Sequence, residues 1–310
     1  MRTAILNSQP WQCQKLLYSA VVIAAALRLI LMLHDSPTSL AAGFRLFGLP
    51  LSQLLILVLE VIIWFLGARS AQHFKNYAVS IKSTDEGRAM NNLANGLLWL
   101  VAYTALLTFT SSLIALFDHT PYDRMVTMLA IYLPLSIAVL ASMLLFVGSA
   151  QLVSLMKRAF WTPHRILYFL LAYAVLMLSF IVEFYVQSPF AQNVDGNHRF
   201  VMPTLLVMLT YVLPYVLIWL AAIVASINLA WYTQNVDGRL YKTLFRNANR
   251  GIALVFVCTF LAQLLICSPF TETQPVFDNG LTFGVLILLG IGFSLIYRGA
   301  KQLECLEESG

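Results

Sequence analysis

The chain has 310 residues, of which 60% are hydrophobic and only 11% are charged. A soluble domain carries about 25% charged residues, so the composition excludes an ordinary soluble protein and indicates a membrane protein. The net charge of +5 would suit a nucleic-acid partner, but the placement of the basic residues along the chain is explained by membrane topology, and no nucleic-acid partner is expected.

Apolar segments long enough to cross a bilayer follow one another along the chain. They are placed at 16–33, 51–68, 96–116, 126–147, 166–186, 204–231, 251–267 and 280–297. Each is apolar on every side, which favours helices over the alternating strands of a membrane barrel. The predicted fold class is therefore an all-α integral membrane protein with about eight transmembrane helices. The first span is interrupted by Arg28 and is longer than a signal-peptide core, so we expect a retained helix.

The 19 Lys and Arg residues are sorted by side. Fifteen fall in alternate gaps, namely Arg2, Lys15, Arg69, Lys75, Lys82, Arg88, Lys157, Arg158, Arg165, Arg239, Lys242, Arg246, Arg250, Arg298 and Lys301. The other gaps hold only Arg45, Arg124 and Arg199, and Arg28 lies within a span. The positive-inside rule then predicts that both termini are cytoplasmic.

Several short matches suggest internal duplication within the single membrane domain, residues 1–310. Ser188-Pro189-Phe190 recurs 80 residues later as Ser268-Pro269-Phe270, each in a gap expected outside. We predict four tandem helical hairpins, at 14–83, 91–158, 165–235 and 246–305. All four would run in the same direction, as parallel repeats about an axis along the membrane normal.

Three charged residues fall inside predicted spans, namely Arg28, Glu60 and Glu183. Charges in hydrocarbon are costly and usually face a partner or a cavity. Arg28 and Glu60 lie at similar depths on adjacent antiparallel helices, so we expect them to form an ion pair. That pair either fixes helix packing or belongs to an ion or proton pathway.

Two prolines, Pro134 and Pro214, occupy matching positions within the fourth and sixth spans. Proline removes a backbone hydrogen bond and kinks a helix, which frees carbonyl groups to line a cavity or a gate. The other reading is a bend that only shapes the helix, which is the more common role of such prolines.

The gaps expected outside combine acidic residues with histidine. The candidates are His34, Asp35, Asp118, His119, Asp123, Asp195 and His198. Carboxylate and imidazole groups are ordinary ligands of divalent metals, so an outer cation site is one reading, and solvated turns are the other. The identity of any metal stays open.

The segment from Thr84 to Arg88 has the composition of a turn followed by a helix cap, and so has the segment from Asn235 to Arg239. No lysine in a span offers a retinal Schiff base, and no mid-span histidine suits a haem, so no cofactor is predicted. Walker, G-x-S-x-G and H-E-x-x-H motifs are absent from the sequence, which disfavours an enzyme.

Three functions remain on the sequence alone. A transporter or channel-like bundle is suggested by the number of spans, the repeats, the prolines and the Arg28–Glu60 pair. A non-catalytic scaffold, receptor or subunit is suggested by the scarcity of polar residues in the spans. An enzyme acting on lipids would have to use His34, His119 and His198. The expected partners are the lipid bilayer and either a membrane protein or further copies of the chain.

Overall fold

The computed structural model describes residues 9–35, 45–46, 49–81, 84–117, 123–156, 161–172, 213–236, 239–266 and 275–308. The helices in this part are α1 (Gln9–Asp35), α2 (Leu51–Ser80), α3 (Asp85–Phe117), α4 (Asp123–Ser154), α5 (163–172), α6 (Leu213–Asn235), α7 (Arg239–Ile266) and α8 (Pro275–Glu308). Each predicted span coincides with one of these helices over the residues that the structure describes. The helical class is thereby confirmed.

Five helical stretches within the described residues are long and apolar enough to cross a membrane. They are Leu51–Ser80, Asp85–Phe109, Leu133–Ser154, Val216–Asn235 and Thr282–Leu303. A shorter apolar stretch, Tyr18–Leu33, belongs to α1. The 30 residues of α2 extend over about 45 Å at 1.5 Å per residue, which exceeds the hydrocarbon core of about 30 Å. The α2 helix is therefore longer than the hydrocarbon core is thick.

A small β-hairpin between α1 and α2 departs from the all-α expectation. Its strands β1 (Arg45–Leu46) and β2 (Leu49–Pro50) are antiparallel, with Arg45 opposite Pro50 and Leu46 opposite Leu49. Proline lacks an N–H and is tolerated at the start of a helix but not inside it. Pro50 accordingly marks the point at which the hairpin ends and α2 begins.

The start of α3 confirms the cap predicted there. The backbone N–H of Gly87 donates to the Thr84 hydroxyl over 3.0 Å, which makes Thr84 the N-cap. Asp85 and Glu86 occupy the first turn, where a negative charge stabilises the positive end of the helix dipole. A Cβ on Gly87 would overlap the Ile81 backbone oxygen, so the tight turn out of α2 requires glycine here. In the second predicted cap, Asp237 and Gly238 lie outside the described residues.

Six helices form a closed ring, in the order α2, α3, α4, α6, α7 and α8, with α8 packed back against α2. The α1 helix packs on α2 and α3. On α5, Ile166 and Phe169 pack with Phe146 of α4 and Val224 of α6. We call the end of the ring that holds the connections 81–84 and 236–238 the short-turn end.

Glycines set the closest helix crossings in the ring. A Cβ on Gly148 of α4 would lie 2.8 Å from the Ala89 backbone oxygen of α3. A Cβ on Gly299 of α8 would likewise lie 2.8 Å from the Leu244 backbone oxygen of α7. Backbones that approach this closely need small residues at the crossing, as is common between membrane helices.

Large aromatic side chains are buried between the helices, and the outside of the ring is apolar. The exposed fraction is 2% or less for four of these aromatic side chains, namely Trp64, Phe146, Phe245 and Phe293. Large exposed apolar side chains on the outside include Val22, Ile23, Ile30, Val58, Tyr168, Leu171, Ile223, Ile227 and Val257. Apolar residues on both sides of a helix are typical of a bundle that is surrounded by lipid rather than water.

Candidate functional site

Arg28 of α1 and Glu60 of α2 form the ion pair that the sequence predicts. The Arg28 Nε donates to the Glu60 Oε2 over 3.3 Å, and the two side chains are 12% and 4% exposed. The two helices run antiparallel, which brings the residues to the same depth. A charge buried this far is stable only with a partner, so the pair fastens α1 to α2.

A second polar contact between α1 and α2 lies nearer the short-turn end. The Arg69 Nη1 donates to the Tyr18 hydroxyl over 2.5 Å and to the Gln72 Oε1 over 3.3 Å. From the sequence, Arg69 was expected only to contribute to the charge asymmetry, and this contact was not predicted. Tyr18 also stacks on Phe65, with ring centroids 5.5 Å apart, so α1 is held at two levels by polar groups.

Four polar side chains meet inside the ring at the short-turn end, and we call them the cross-ring cluster: Tyr77 of α2, Glu86 of α3, Tyr232 of α6 and Tyr241 of α7. The hydroxyls of Tyr77 and Tyr232 both donate to the Glu86 Oε1, each over 3.4 Å. The side chain of Tyr241 lies beside those of Tyr77 and Tyr232. Tyr77 and Tyr232 are 5% and 4% exposed, whereas Glu86 is half-buried.

The position of the cross-ring cluster follows from the helix order. The adjacent pair α2 and α3 is separated from the adjacent pair α6 and α7 by α4 on one side and α8 on the other. The hydrogen bond from Tyr232 of α6 to Glu86 of α3 therefore crosses the ring interior. Phe245 adds an aromatic wall, since its ring meets that of Tyr232 edge-on at 5.0 Å.

The cross-ring cluster was not predicted from the sequence, where Glu86 was expected only to belong to a turn and helix cap. One sequence signal points to it. Ile63-Trp64 precedes Tyr77 at the same distance at which Ile218-Trp219 precedes Tyr232. Chemically, a carboxylate among phenol rings can attract a cation, because the aromatic faces and the carboxylate are both negative.

A buried amide links α4 and α6 to the segment before α5. The Asn228 Oδ1 accepts from the Trp161 Nε1 over 2.8 Å, and its Nδ2 donates to the Ser149 hydroxyl over 3.4 Å. Asn228 is 6% exposed. These bonds satisfy a buried polar group and fix the approach of Trp161, which is a structural role.

The buried hydroxyls are satisfied within their own helices. Ser70, Thr104, Ser142, Ser149, Thr233 and Thr259 each donate to a backbone carbonyl three or four positions earlier. Such bonds are a usual way to bury serine and threonine in a helix. Cys258 is buried and free.

The predicted prolines differ in what the structure describes. Pro134 lies inside α4, is buried, and leaves the helix continuous from Asp123 to Ser154. Pro214 is the second residue of α6, and the residues before Leu213 lie outside the described part.

Most of the predicted outer cation residues lie outside the described residues: Asp118, His119, Asp195 and His198, together with Glu183. His34 and Asp35 end α1 and Asp123 begins α4, but their side chains are not described. Among the described side chains there is no group of three or more His, Cys, Asp or Glu that would hold a metal.

The architecture is thus a ring of apolar helices with a buried ion pair at α1 and a phenol–carboxylate cluster across its interior. No protein-family model, curated protein or solved structure shows significant similarity to the chain.

Proposed function

We propose that the protein is a multi-pass membrane transporter or channel-like bundle, whose path runs inside the six-helix ring and is closed at the short-turn end by the cross-ring cluster. The observation that carries the proposal is the meeting of Tyr77 and Tyr232, from opposite sides of the ring, on the carboxylate of Glu86. With the charge asymmetry of the sequence, the short-turn end and both termini face the cytoplasm.

A two-fold arrangement of the ring supports this proposal. The chain would be two four-helix units, α1 to α4 and α5 to α8. A two-fold rotation would exchange α2 with α6, α3 with α7 and α4 with α8. Under this exchange, every contact between helices of the ring coincides with another contact of the ring. Each unit contains two of the predicted hairpins, so the two schemes are compatible.

Matching residues accompany the matching helices. Trp64 and Trp219 are 155 positions apart, and so are Tyr77 and Tyr232. The crossing glycines Gly148 and Gly299 are 151 positions apart and meet corresponding carbonyls. Parallel repeats about an axis along the membrane normal occur in transporters, with the substrate path at the interface between the repeats.

Removing the two phenol hydroxyls tests whether the cross-ring cluster closes a path. Tyr77→Phe/Tyr232→Phe keeps both rings but loses two hydrogen bonds to Glu86. Each is worth about 1 kcal/mol. The loss of both is therefore expected to raise the fraction of open molecules about thirty-fold. The measurement is potassium and proton leak from proteoliposomes that contain equal amounts of folded protein.

The matched control is Tyr168→Phe, because Tyr168 is 67% exposed on α5. Its leak is expected to equal that of the unchanged protein. Equal leak from the double variant and from this control would contradict closure by the cross-ring cluster.

Thiol labelling locates the closure independently of any substrate. Met90 lies one turn beyond Glu86 on α3 and is fully buried. In a chain without its native cysteines, Met90→Cys is expected to resist a water-soluble maleimide and to react when Tyr77→Phe/Tyr232→Phe is added. Leu152→Cys, at an equally buried position of α4, should stay unreactive in both backgrounds. Reaction at both positions would indicate general loosening instead of a gate.

If the path also uses the Arg28–Glu60 pair, Glu60→Gln abolishes flux in reconstituted vesicles without loss of folded protein. Unchanged flux would leave the pair with a packing role only.

A scaffold or subunit role is the second candidate, and the hydroxyls that bond within their own helices favour it. With these groups turned to their own backbone, the described interior offers few polar side chains to a solute. Under this role, a mild-detergent pull-down recovers one stoichiometric membrane partner. The double variant Tyr77→Phe/Tyr232→Phe then shows the same leak as the unchanged protein.

A further inference from the structure

An apolar groove lies on the outside of the ring between α2 and α8. It has a volume of about 400 Å³ and is lined by Leu59, Ile62 and Leu66 on one side and Ile287 and Ile291 on the other, with Arg298 at one end. Ile62, Ile287 and Ile291 are exposed. The groove therefore opens outward, toward the surface that lipid covers.

The groove exists because α8 lacks a side chain at its centre. A Cβ on Gly290 would have Ile63 Cγ1 as its nearest neighbour, at 3.9 Å, which is an ordinary contact distance. The crossing glycines differ, since a Cβ on Gly251 would lie 2.5 Å from a backbone oxygen. The space beside Gly290 is therefore not filled by atoms of the neighbouring helix.

The α8 face that borders the groove changes character along its length. Ile287, Ile291, Ser294, Arg298 and Lys301 follow one another at intervals of three or four residues, so they form one stripe. The stripe is apolar in the middle of the helix, then carries a hydroxyl, then two exposed cations near the short-turn end. This is the order of groups that a phospholipid presents from its acyl chain to its phosphate.

Beyond the groove the two helices close on each other. His73 of α2 meets the ring of Tyr297 of α8, with centroids 5.4 Å apart. An acyl chain bound in the groove would therefore end at this level. Its polar end would lie outside the ring, next to Arg298. On the opposite side of the ring, the seam of α4 and α6 holds Trp161 and Phe169 against Phe146, so seams of this ring do accept large apolar groups.

We propose that this groove binds one phospholipid with an anionic head group, its acyl chain against Gly290 and its phosphate at Arg298 and Lys301. The charge of the occupant is argued from these two cations, since each basic residue near a membrane surface favours anionic lipid. The site lies on the contact that closes the ring, between its first and last helices, and it does not depend on the proposed transport function.

Native mass spectrometry of the intact protein in detergent tests the site, with phosphatidylglycerol and phosphatidylcholine added separately. The unchanged protein is expected to retain one phosphatidylglycerol in preference to phosphatidylcholine. Gly290→Leu fills the groove and is expected to lose that lipid. Gly284→Leu is the matched control on the same helix, because a Cβ there meets nothing within 4 Å, and it should bind as before.

Arg298→Gln separates the head-group contact from the groove. It is expected to lower the preference for phosphatidylglycerol about five-fold, the effect of one basic residue at an anionic surface, while phosphatidylcholine binding stays the same. Equal lipid retention by Gly290→Leu and Gly284→Leu would overturn the site. So would a dimer or a bound protein that is lost on Gly290→Leu while lipid retention is unchanged, because the groove would then hold another helix.

Discussion

Gly251→Ala is expected to lower the melting temperature of the purified protein, because the added methyl group has no room between α7 and α8. The new Cβ would lie 2.5 Å from the Gly292 backbone oxygen and 2.6 Å from the Ile296 Cγ1. A backbone oxygen cannot turn aside as a flexible side chain can, so the two helices must separate. Overpacking of this kind costs about 1–3 kcal/mol, and the loss is measured by thermal unfolding in detergent.

Gly284→Ala serves as the control, because the change in melting temperature is expected to have the opposite sign. Nothing lies within 4 Å of a Cβ at this position, and alanine favours a helix over glycine by up to about 1 kcal/mol. Its melting temperature is expected to equal or exceed that of the unchanged protein. If both variants unfolded at the same temperature, the close crossing of α7 and α8 would be refuted.

Alanine substitutions at two other crossing glycines test the proposed two-fold arrangement. Gly148→Ala and Gly299→Ala each place a Cβ 2.8 Å from a backbone oxygen of the facing helix. If the two crossings are equivalent, both variants lose similar stability, and the losses add in the double variant because the sites are far apart. A large loss from one and none from the other would argue against equivalent units.

Arg28→Met is expected to be the most destabilising change at the α1–α2 contact. It leaves the Glu60 carboxylate, 4% exposed, without its guanidinium partner. Breaking a buried pair from one side costs about 3–5 kcal/mol, whereas replacing both members by apolar residues is often neutral. The double variant Arg28→Met/Glu60→Met is therefore expected to be more stable than Arg28→Met alone, as measured by thermal unfolding in the same detergent.

A matched control for this pair is Arg69→Met, which removes an arginine from the other polar contact of α1 and α2. Its partners, Tyr18 and Gln72, are neutral, so no charge is left buried and a smaller loss of about 1 kcal/mol is expected. If Arg28→Met unfolded at the same temperature as the double variant, the Glu60 carboxylate left without its partner would cost nothing, and the prediction would be wrong.

The helices and the ion pair could be predicted from sequence because both depend on depth in the membrane, which is a property of position along the chain. Apolar length is visible in the sequence, so the positions of the apolar helices could be predicted without coordinates. Arg28 and Glu60 lie on consecutive antiparallel helices, so equal distances from their connection place them side by side. The Thr84 cap was predicted for a similar reason, since all its atoms belong to one turn.

The cross-ring cluster could not be obtained this way, because Glu86 and Tyr232 are 146 residues apart and their contact depends on the order of helices around the ring. Hydropathy says nothing about that order: an apolar helix fits next to any other. The spacing of Trp64 and Tyr77 matches that of Trp219 and Tyr232, but it gains meaning only once α2 and α6 face each other across the ring.

By itself, the sequence predicted a helical membrane protein, its apolar segments, a charge asymmetry along the chain and the ion pair of Arg28 and Glu60. The tertiary structure decided which helices are neighbours, that glycines bring α3 to α4 and α7 to α8, and that Gly290 leaves a groove instead of a crossing. The physical reason is that depth is fixed locally by the cost of burying polar groups in lipid. Neighbour choice instead depends on side-chain shape across residues that are distant in the chain, such as the space between Gly290 and Ile63.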